Sequence, residues 1–173
     1  VAVVGSAGTD PAPLLEASGL VGTTTLPAAD VALVAADGEL DRALLVPIAR
    51  ARLPFLPVRL VDGLAVLGPF AVPGRSACLG CVDRHRSADD AAHPVLVERY
   101  TGAPAADDPV LGTLATAWAV RDLATWAAGG CPATWSRTVT VDPVGGAVSA
   151  QLWWRHPECG CTWGEAPSVT MEE

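Results

Sequence analysis

Two cysteine pairs constrain this chain more than anything else in it. Cys78-Leu79-Gly80-Cys81 lies near the middle and Cys159-Gly160-Cys161 near the end. A lone C-x-x-C has little specificity and a lone C-x-C less. Together they supply four thiols, the ligand count of a closed tetrahedral zinc site. One Zn²⁺ on Cys78, Cys81, Cys159 and Cys161 would clamp the tail onto the middle of the chain. The second pair is tighter than the usual C-x₂₋₄-C spacing, so His156 or His85 stays open as a replacement for one thiol. Two local disulfides, or four unrelated thiols, are the other uses of these residues. Four thiolates around Zn²⁺ carry a net charge of about −2, which is costly in a dry site unless offset. Arg75, Arg84, Arg86 and Arg155 lie within a few residues of the thiols and are candidates to supply that offset.

At 173 residues the chain fits a single domain, 1–173, with room for a substantial core. Its formal charge is −8, it has neither lysine nor asparagine, and its cations are arginines apart from three histidines. Nucleic-acid binding needs a basic stripe against phosphate, and an acidic chain argues against it. No apolar run reaches the roughly 18 residues that span a bilayer. The longest candidate, 110–128, carries Arg121 and Asp122 in its middle. No signal-peptide pattern is visible. With thiolate ligands, this points to a reducing cytoplasm.

Val1-Ala2-Val3-Val4 and Val31-Ala32-Leu33-Val34-Ala35 are continuous apolar runs, as in strands buried on both faces. A short helix is expected over 11–18, a second over 39–52 kinked by Pro47, and a third strand over 55–61. Strand, helix, strand, helix, strand implies a mainly parallel sheet with helices packed over it, an α/β fold of Rossmann type. Asp62-Gly63 turns the chain into a strand that Gly68-Pro69 ends or bulges. Residues 87–108 lack a clear period and read as a mobile crossover, with one short helix near 93–100. Asp108-Pro109 opens the longest helix, about 109–128, whose apolar positions cover most of its circumference. Such a helix belongs in a core or a subunit seam. Period-two alternation then marks an antiparallel hairpin: Val139 and Val141 going out, Val148, Ala150 and Leu152 returning. It delivers Trp153-Trp154 to the second cysteine pair.

This order of elements resembles the ThiF/MoeB-like superfamily, the fold of ubiquitin-activating enzymes. Pro73-Gly74-Arg75-x-Ala77-Cys78-Leu79-x-Cys81 and His156-Pro157-x-Cys159-Gly160-Cys161-x-Trp163 resemble, more specifically, the ThiF-like partners of YcaO cyclodehydratases. The resemblance runs roughly from Val1 to Trp163 and is sharpest at the cysteines. It implies an α/β domain with a structural zinc lobe, acting without catalysis of its own. In such systems the YcaO enzyme uses ATP to close azoline rings on a ribosomal precursor peptide, and the ThiF-like partner presents that peptide. Leader binding there usually resides in a winged-helix-like region upstream of the ThiF-like part. This chain starts beyond where that region would lie, so the region is expected to be either truncated or absent, the chain then performing only the scaffold half of the task. The implied partners are a YcaO enzyme, the precursor's leader and, through the long helix, a second copy in a homodimer.

An adenylating member of the superfamily is the competing expectation. Its glycine turn must meet phosphate, and it needs cations on the triphosphate and a carboxylate for Mg²⁺. Gly5-Ser6-Ala7-Gly8 keeps only a degenerate G-x-x-G, which equally suits a tight strand-to-helix turn. Asp37 is the candidate for the acidic position, and a helix cap is its other use. The lysine and asparagine that this superfamily typically uses are missing, so no ATP use is expected. A zinc-bearing interaction domain with another client is the third reading. Cys131 reads as an idle thiol and His93 as a loop histidine without a partner. Asp89-Asp90 and Asp107-Asp108 read as solvated loop and helix cap. Trp118 and Trp126 suit a core or dimer seam; Trp135, Trp153, Trp154 and Trp163 are expected to ring the zinc lobe.

Overall fold

The computed structural model describes residues 1–103 and 108–162. Its strands are β1 (Ala2–Ser6), β2 (Ala32–Asp37), β3 (Phe55–Val61), β4 (Leu64–Leu67), β5 (Arg137–Asp142) and β6 (Ala147–Leu152). Its α-helices are α1 (Ala12–Ala17), α2 (Leu45–Arg50), α3 (Leu79–Asp89), α4 (His93–Tyr100) and α5 (Pro109–Ala127). The strands form one open sheet in sequence order. β1, β2 and β3 pair in parallel; β3 through β6 pair antiparallel. The sheet is therefore mixed, a parallel half continued by two hairpins, with helices over both faces.

Strand alternation decides which layer each residue joins. Leu56, Val58 and Leu60 of β3 face α1 and α5, joined by Leu67, Val139 and Val141. Phe55 faces the other way, with Ala32, Val34 and Ala71, under Ile48 of α2 and Leu79 and Val82 of α3. The long helix does not bury its whole circumference. Leu111, Ala115, Ala119 and Leu123 are buried, whereas Val110 and Leu114 are 75% and 46% exposed. β6 carries the expected alternation, yet all six of its residues are exposed.

The helix expected over 39–52 begins later. The Asp41 carboxylate accepts the Ala43 N–H at 2.8 Å and starts a single tight turn, Arg42–Leu44, which leads into α2. Pro47 falls in the first turn of α2, where its missing N–H leaves no bond unmade, so it neither kinks nor splits the helix. In the stretch expected to be a crossover, α3 runs on through Asp89 and α4 occupies the expected 93–100.

A glycine contact seats α5 on the sheet. Gly8 has a φ of +64°, and a Cβ there would lie 2.6 Å from the Cα of Gly112. Thr9 and Thr113 share a 2.8 Å hydroxyl hydrogen bond beside it. Gly112→Val should lift the start of α5 and lower stability by about 1–3 kcal/mol, the usual cost of overpacking. The denaturant midpoint measures this; an unchanged midpoint would mean that the approach is not needed.

Candidate metal centre

The topology brings the two cysteine pairs together. Cys78 is the residue at which α3 begins, and Cys81 lies in its first turn. That places both sulfurs at the positive end of an 11-residue helix, a setting that favours thiolate. The hairpin of β5 and β6 returns the chain to the same place. Ser136 pins the junction: its hydroxyl accepts the Ala77 N–H at 3.0 Å, and its carbonyl accepts the Trp153 N–H at 2.8 Å. The Trp153 indole donates to the Thr138 hydroxyl at 2.7 Å. A turn closed by the Cys159 N–H donating to the His156 carbonyl then aims Cys159 inward.

Four sulfurs result, all within 4.8 Å of one another. The Cys78–Cys81, Cys78–Cys159 and Cys81–Cys161 separations are 3.8, 3.6 and 3.5 Å. A regular tetrahedron with Zn–S near 2.3 Å has edges of about 3.8 Å, so this donor set fits a zinc ion. Cys81 and Cys159 are buried, and Cys78 and Cys161 half-buried. Gly80 keeps the space open, since a Cβ there would sit 3.3 Å from the Cys159 Sγ. The thiols also polarise one another. Hydrogen bonds from the Cys159, Cys161 and Cys78 sulfurs pull Cys81 down, and those from Cys161 and Cys78 bring Cys159 down to about 7. Cys78 and Cys161 are pushed up, in each case by hydrogen bonding to Cys159 first. A divalent cation that accepts all four as thiolates removes this competition for protons.

Neither histidine takes a thiol's place. His85 Nε2 lies 3.0 Å from the Trp154 carbonyl, and His156 Nδ1 accepts the Glu158 N–H at 3.2 Å. The nearby arginines have other contacts as well. Arg75 lies over Trp135 and Arg86 over Trp153, while Arg84 donates to the Gly80 carbonyl and Arg155 to that of Gly74. Cys131 is exposed and outside the cluster. Trp135 is not at the lobe: it stacks with Phe70 and Trp126 against the main core. Trp153 packs on the lobe, Trp154 is 71% exposed, and Trp163 and Asp107 lie outside the described residues. Asp108 does cap α5, accepting the Leu111 N–H at 2.9 Å.

The glycine turn has a different character. A cavity of about 280 Å³ opens in front of Gly5, Ser6 and Gly8, and among the described residues Asp10 is the one charged group that lines it. Gly5 is required by close approach to the Ala35 carbonyl, and Gly8 by Gly112. Asp37 is exposed at the end of β2, does not line this cavity and caps no helix; Asp41 takes the cap.

Sequence reasoning missed a charged cluster on the opposite face of the sheet. Arg59 of β3 is 2% exposed, and its Nη1 donates to the Glu39 carboxylate at 2.8 and 3.1 Å. Arg42 bridges Glu39 at 2.9 Å and Asp83, which it grips through two bonds of 2.7 and 2.8 Å. His93, expected to stand alone, lies with Nε2 3.3 Å from the Asp83 carboxylate. Burial works to raise Glu39 and Asp83, but Arg59 and Arg42 outweigh it for Glu39, and Arg42 and His93 for Asp83. Both carboxyls are held below their ordinary values. No local pattern marks these residues, which come from separate elements. A buried arginine in the middle of an apolar strand was the one available signal.

No family model matches the chain, and no curated protein does. Solved structures do match. The heterocyclase TruD superposes with a TM-score of 0.67 at 21% identity, over 93% of this chain and 27% of its own. The E. coli protein MccB, crystallised with ATP, gives 0.59 at 20% identity over 86% of this chain and 47% of its own. The fold is ThiF-like. A further heterocyclase, in complex with substrate and cofactor, gives a TM-score of 0.70 at 15% identity over 93% of this chain and 24% of its own. The chain thus spans about a quarter of the heterocyclases' length and just under half of MccB's. No helix among the described residues is long and apolar enough to cross a membrane.

Proposed function

We propose that this chain is a zinc-stapled, non-catalytic ThiF-like scaffold. It docks a YcaO-type cyclodehydratase and helps present a ribosomal precursor peptide for azoline formation. The carrying observation is the four-sulfur cluster inside a fold shared with two heterocyclases. The zinc is structural: four protein sulfurs complete its coordination and leave no open position for a reacting water or substrate. Its work is to hold the β5–β6 hairpin onto α3. Against adenylation, no cation among the described residues lines the cavity at the glycine turn to meet a triphosphate, and both glycines serve close packing. The turn also leads into an α1 of only six residues.

Co-expression with a YcaO protein and a Cys/Ser/Thr-rich precursor encoded beside it tests the reading. The expected result is a complex stable through gel filtration at micromolar concentration, and ring closure, read as loss of one water per ring by mass spectrometry, that depends on this chain. Separate elution with unaltered ring closure would overturn it. MccB's likeness makes peptide adenylation the reading to exclude. No ATP–pyrophosphate exchange is expected with any precursor, and exchange that depends on the peptide would reverse the assignment.

A further inference from the structure

One group in the charged cluster has donors to spare. Arg59 is 2% exposed, and its Nη1 is taken by the Glu39 carboxylate. Its Nε and Nη2 are buried, and no protein atom among the described residues accepts from either. These two nitrogens form one edge of the guanidinium, with two parallel N–H bonds that match the two oxygens of a carboxylate. Arg42 shows the use of that edge in the same cluster: its Nε and Nη2 grip the Asp83 carboxylate at 2.7 and 2.8 Å. Arg59, more deeply buried, presents the same edge to no acceptor of the described protein.

The strands beside Arg59 do not supply one. Its lateral neighbours are Ala36 of β2 and Val66 of β4, whose side chains hold no acceptor. Both are partly exposed, so solvent reaches the sheet surface on either side of Arg59. The charge is unbalanced as well. Arg59 and Arg42 cancel Glu39 and Asp83, but Arg86 of α3 adds a further cation. Arg86 lies over Trp153 and has no hydrogen bond or carboxylate partner among the described residues. Burial, and then the charge of Arg59, pull its guanidinium below the ordinary value; Glu39 and Asp83 oppose this, and Arg42 adds to it. The sulfurs of the metal centre are not among the charges that act on it most. Water satisfies a donor but brings no charge to offset a buried cation.

We infer that the Nε/Nη2 edge of Arg59 binds a small monocarboxylate of acetate size, with Arg86 as the second cation on it. Two coplanar oxygens fit the edge, and one negative charge balances the cluster. Phosphate would bring a second charge that the cluster does not need, and chloride offers one centre where the edge presents two donors. Spanning Arg59 and Arg86, the carboxylate ties β3 directly to α3, a link that otherwise runs through Glu39, Arg42 and Asp83. The site needs neither the metal nor a cyclodehydratase.

Equilibrium dialysis of the full, zinc-loaded chain against isotope-labelled acetate at fixed ionic strength tests it. The expected result is a single saturable site, from which formate displaces acetate and equimolar chloride does not. Affinity should fall about tenfold in R86Q, which loses one charge-assisted contact. Binding should vanish in R59K, which keeps a cation for Glu39 but loses the edge. R121Q, on the exposed side of α5, should bind like the parent. By linkage, acetate should raise the Tm of the parent and leave that of R59K where it was. In ¹⁵N-labelled protein, the arginine Nε–H resonance that R59K removes should move with acetate, which places the ligand on that edge. Circular dichroism separates a lost site from a lost fold, and the R86Q affinity decides should R59K fail to fold. No saturable binding, equal displacement by chloride, an Arg59 resonance that stays in place, or an unchanged affinity in folded R86Q would each overturn the inference and leave the donors of Arg59 to water.

Discussion

Replacing Cys81 by serine is expected to empty the metal centre and to cost more stability than any other single change at the lobe. Zinc, near one per chain by elemental analysis in the parent, should fall below about a tenth, because three thiolates and a hydroxyl give a far weaker soft-ligand set. Cys81 is fully buried and sits 3.5 Å from the Cys161 sulfur across the lobe. Its loss therefore removes the tie between α3 and the tail rather than trimming a rim. Structural zinc contributes roughly 10–16 kcal/mol in zinc-finger peptides, which have little else to fold them. Here the sheet has two cores of its own, so a smaller share, about 5 kcal/mol, is expected, or a fall in Tm of about 10–20 °C for a domain of this size. Cys131→Ser is the matched control: its thiol is exposed and outside the cluster, and neither zinc nor Tm should move. Chelation of the parent should reproduce the serine variant's Tm. A parent that holds no zinc, or a C81S protein as stable as the parent, would remove the structural metal from this account.

The lobe was legible from spacing because metal ligation is a count and a distance, and both pairs carried their count locally. The parallel half of the sheet was legible for a similar reason: Val31 to Ala35 and Phe55 to Val61 are apolar runs too short for helices. Legibility failed where the deciding partner is distant in sequence. Glu39 looked like the start of a helix, but Arg59, twenty positions on, draws its carboxylate away, and Asp41 caps the helical turn instead. His93 looked solitary until the packing of α4 against α3 set it beside Asp83. Trp135 was placed with its late-chain neighbours, whereas the β-bridge of Phe70 with Trp135 draws it into the main core. The alternation of β6 was real, but period alone says which residues share a face and never whether anything covers it.

Glu39→Ala is the second change with a large expected effect, because it strands a cation. Arg59 is 2% exposed, and Glu39 is its one counter-ion among the described residues. Its Nε and Nη2 already lack partners among the described protein atoms. Removing one member of a buried pair costs about 3–5 kcal/mol, most of it the penalty of leaving the other charge unpaired. The double variant Glu39→Leu with Arg59→Met should recover most of that loss, since the pair's mutual attraction roughly repays its desolvation and no more. Acidity supplies an independent check. The Glu39 carboxyl is held below its ordinary 4.5 in the folded state, so its contribution is fully present above that value and is lost as pH falls through the lowered one. Asp83, held below 3.8 by Arg42 and then His93 against the effect of burial, adds a loss of the same sign at lower pH. The parent should therefore lose stability steeply below about pH 4.5, and Glu39→Ala, having already forfeited its share, should fall less steeply over the same range. Metal release in acid acts on both proteins alike, so the difference between their stability curves isolates the carboxylate. Parallel curves, or a single variant within about 1 kcal/mol of the parent, would mean that Arg59 finds its compensation elsewhere.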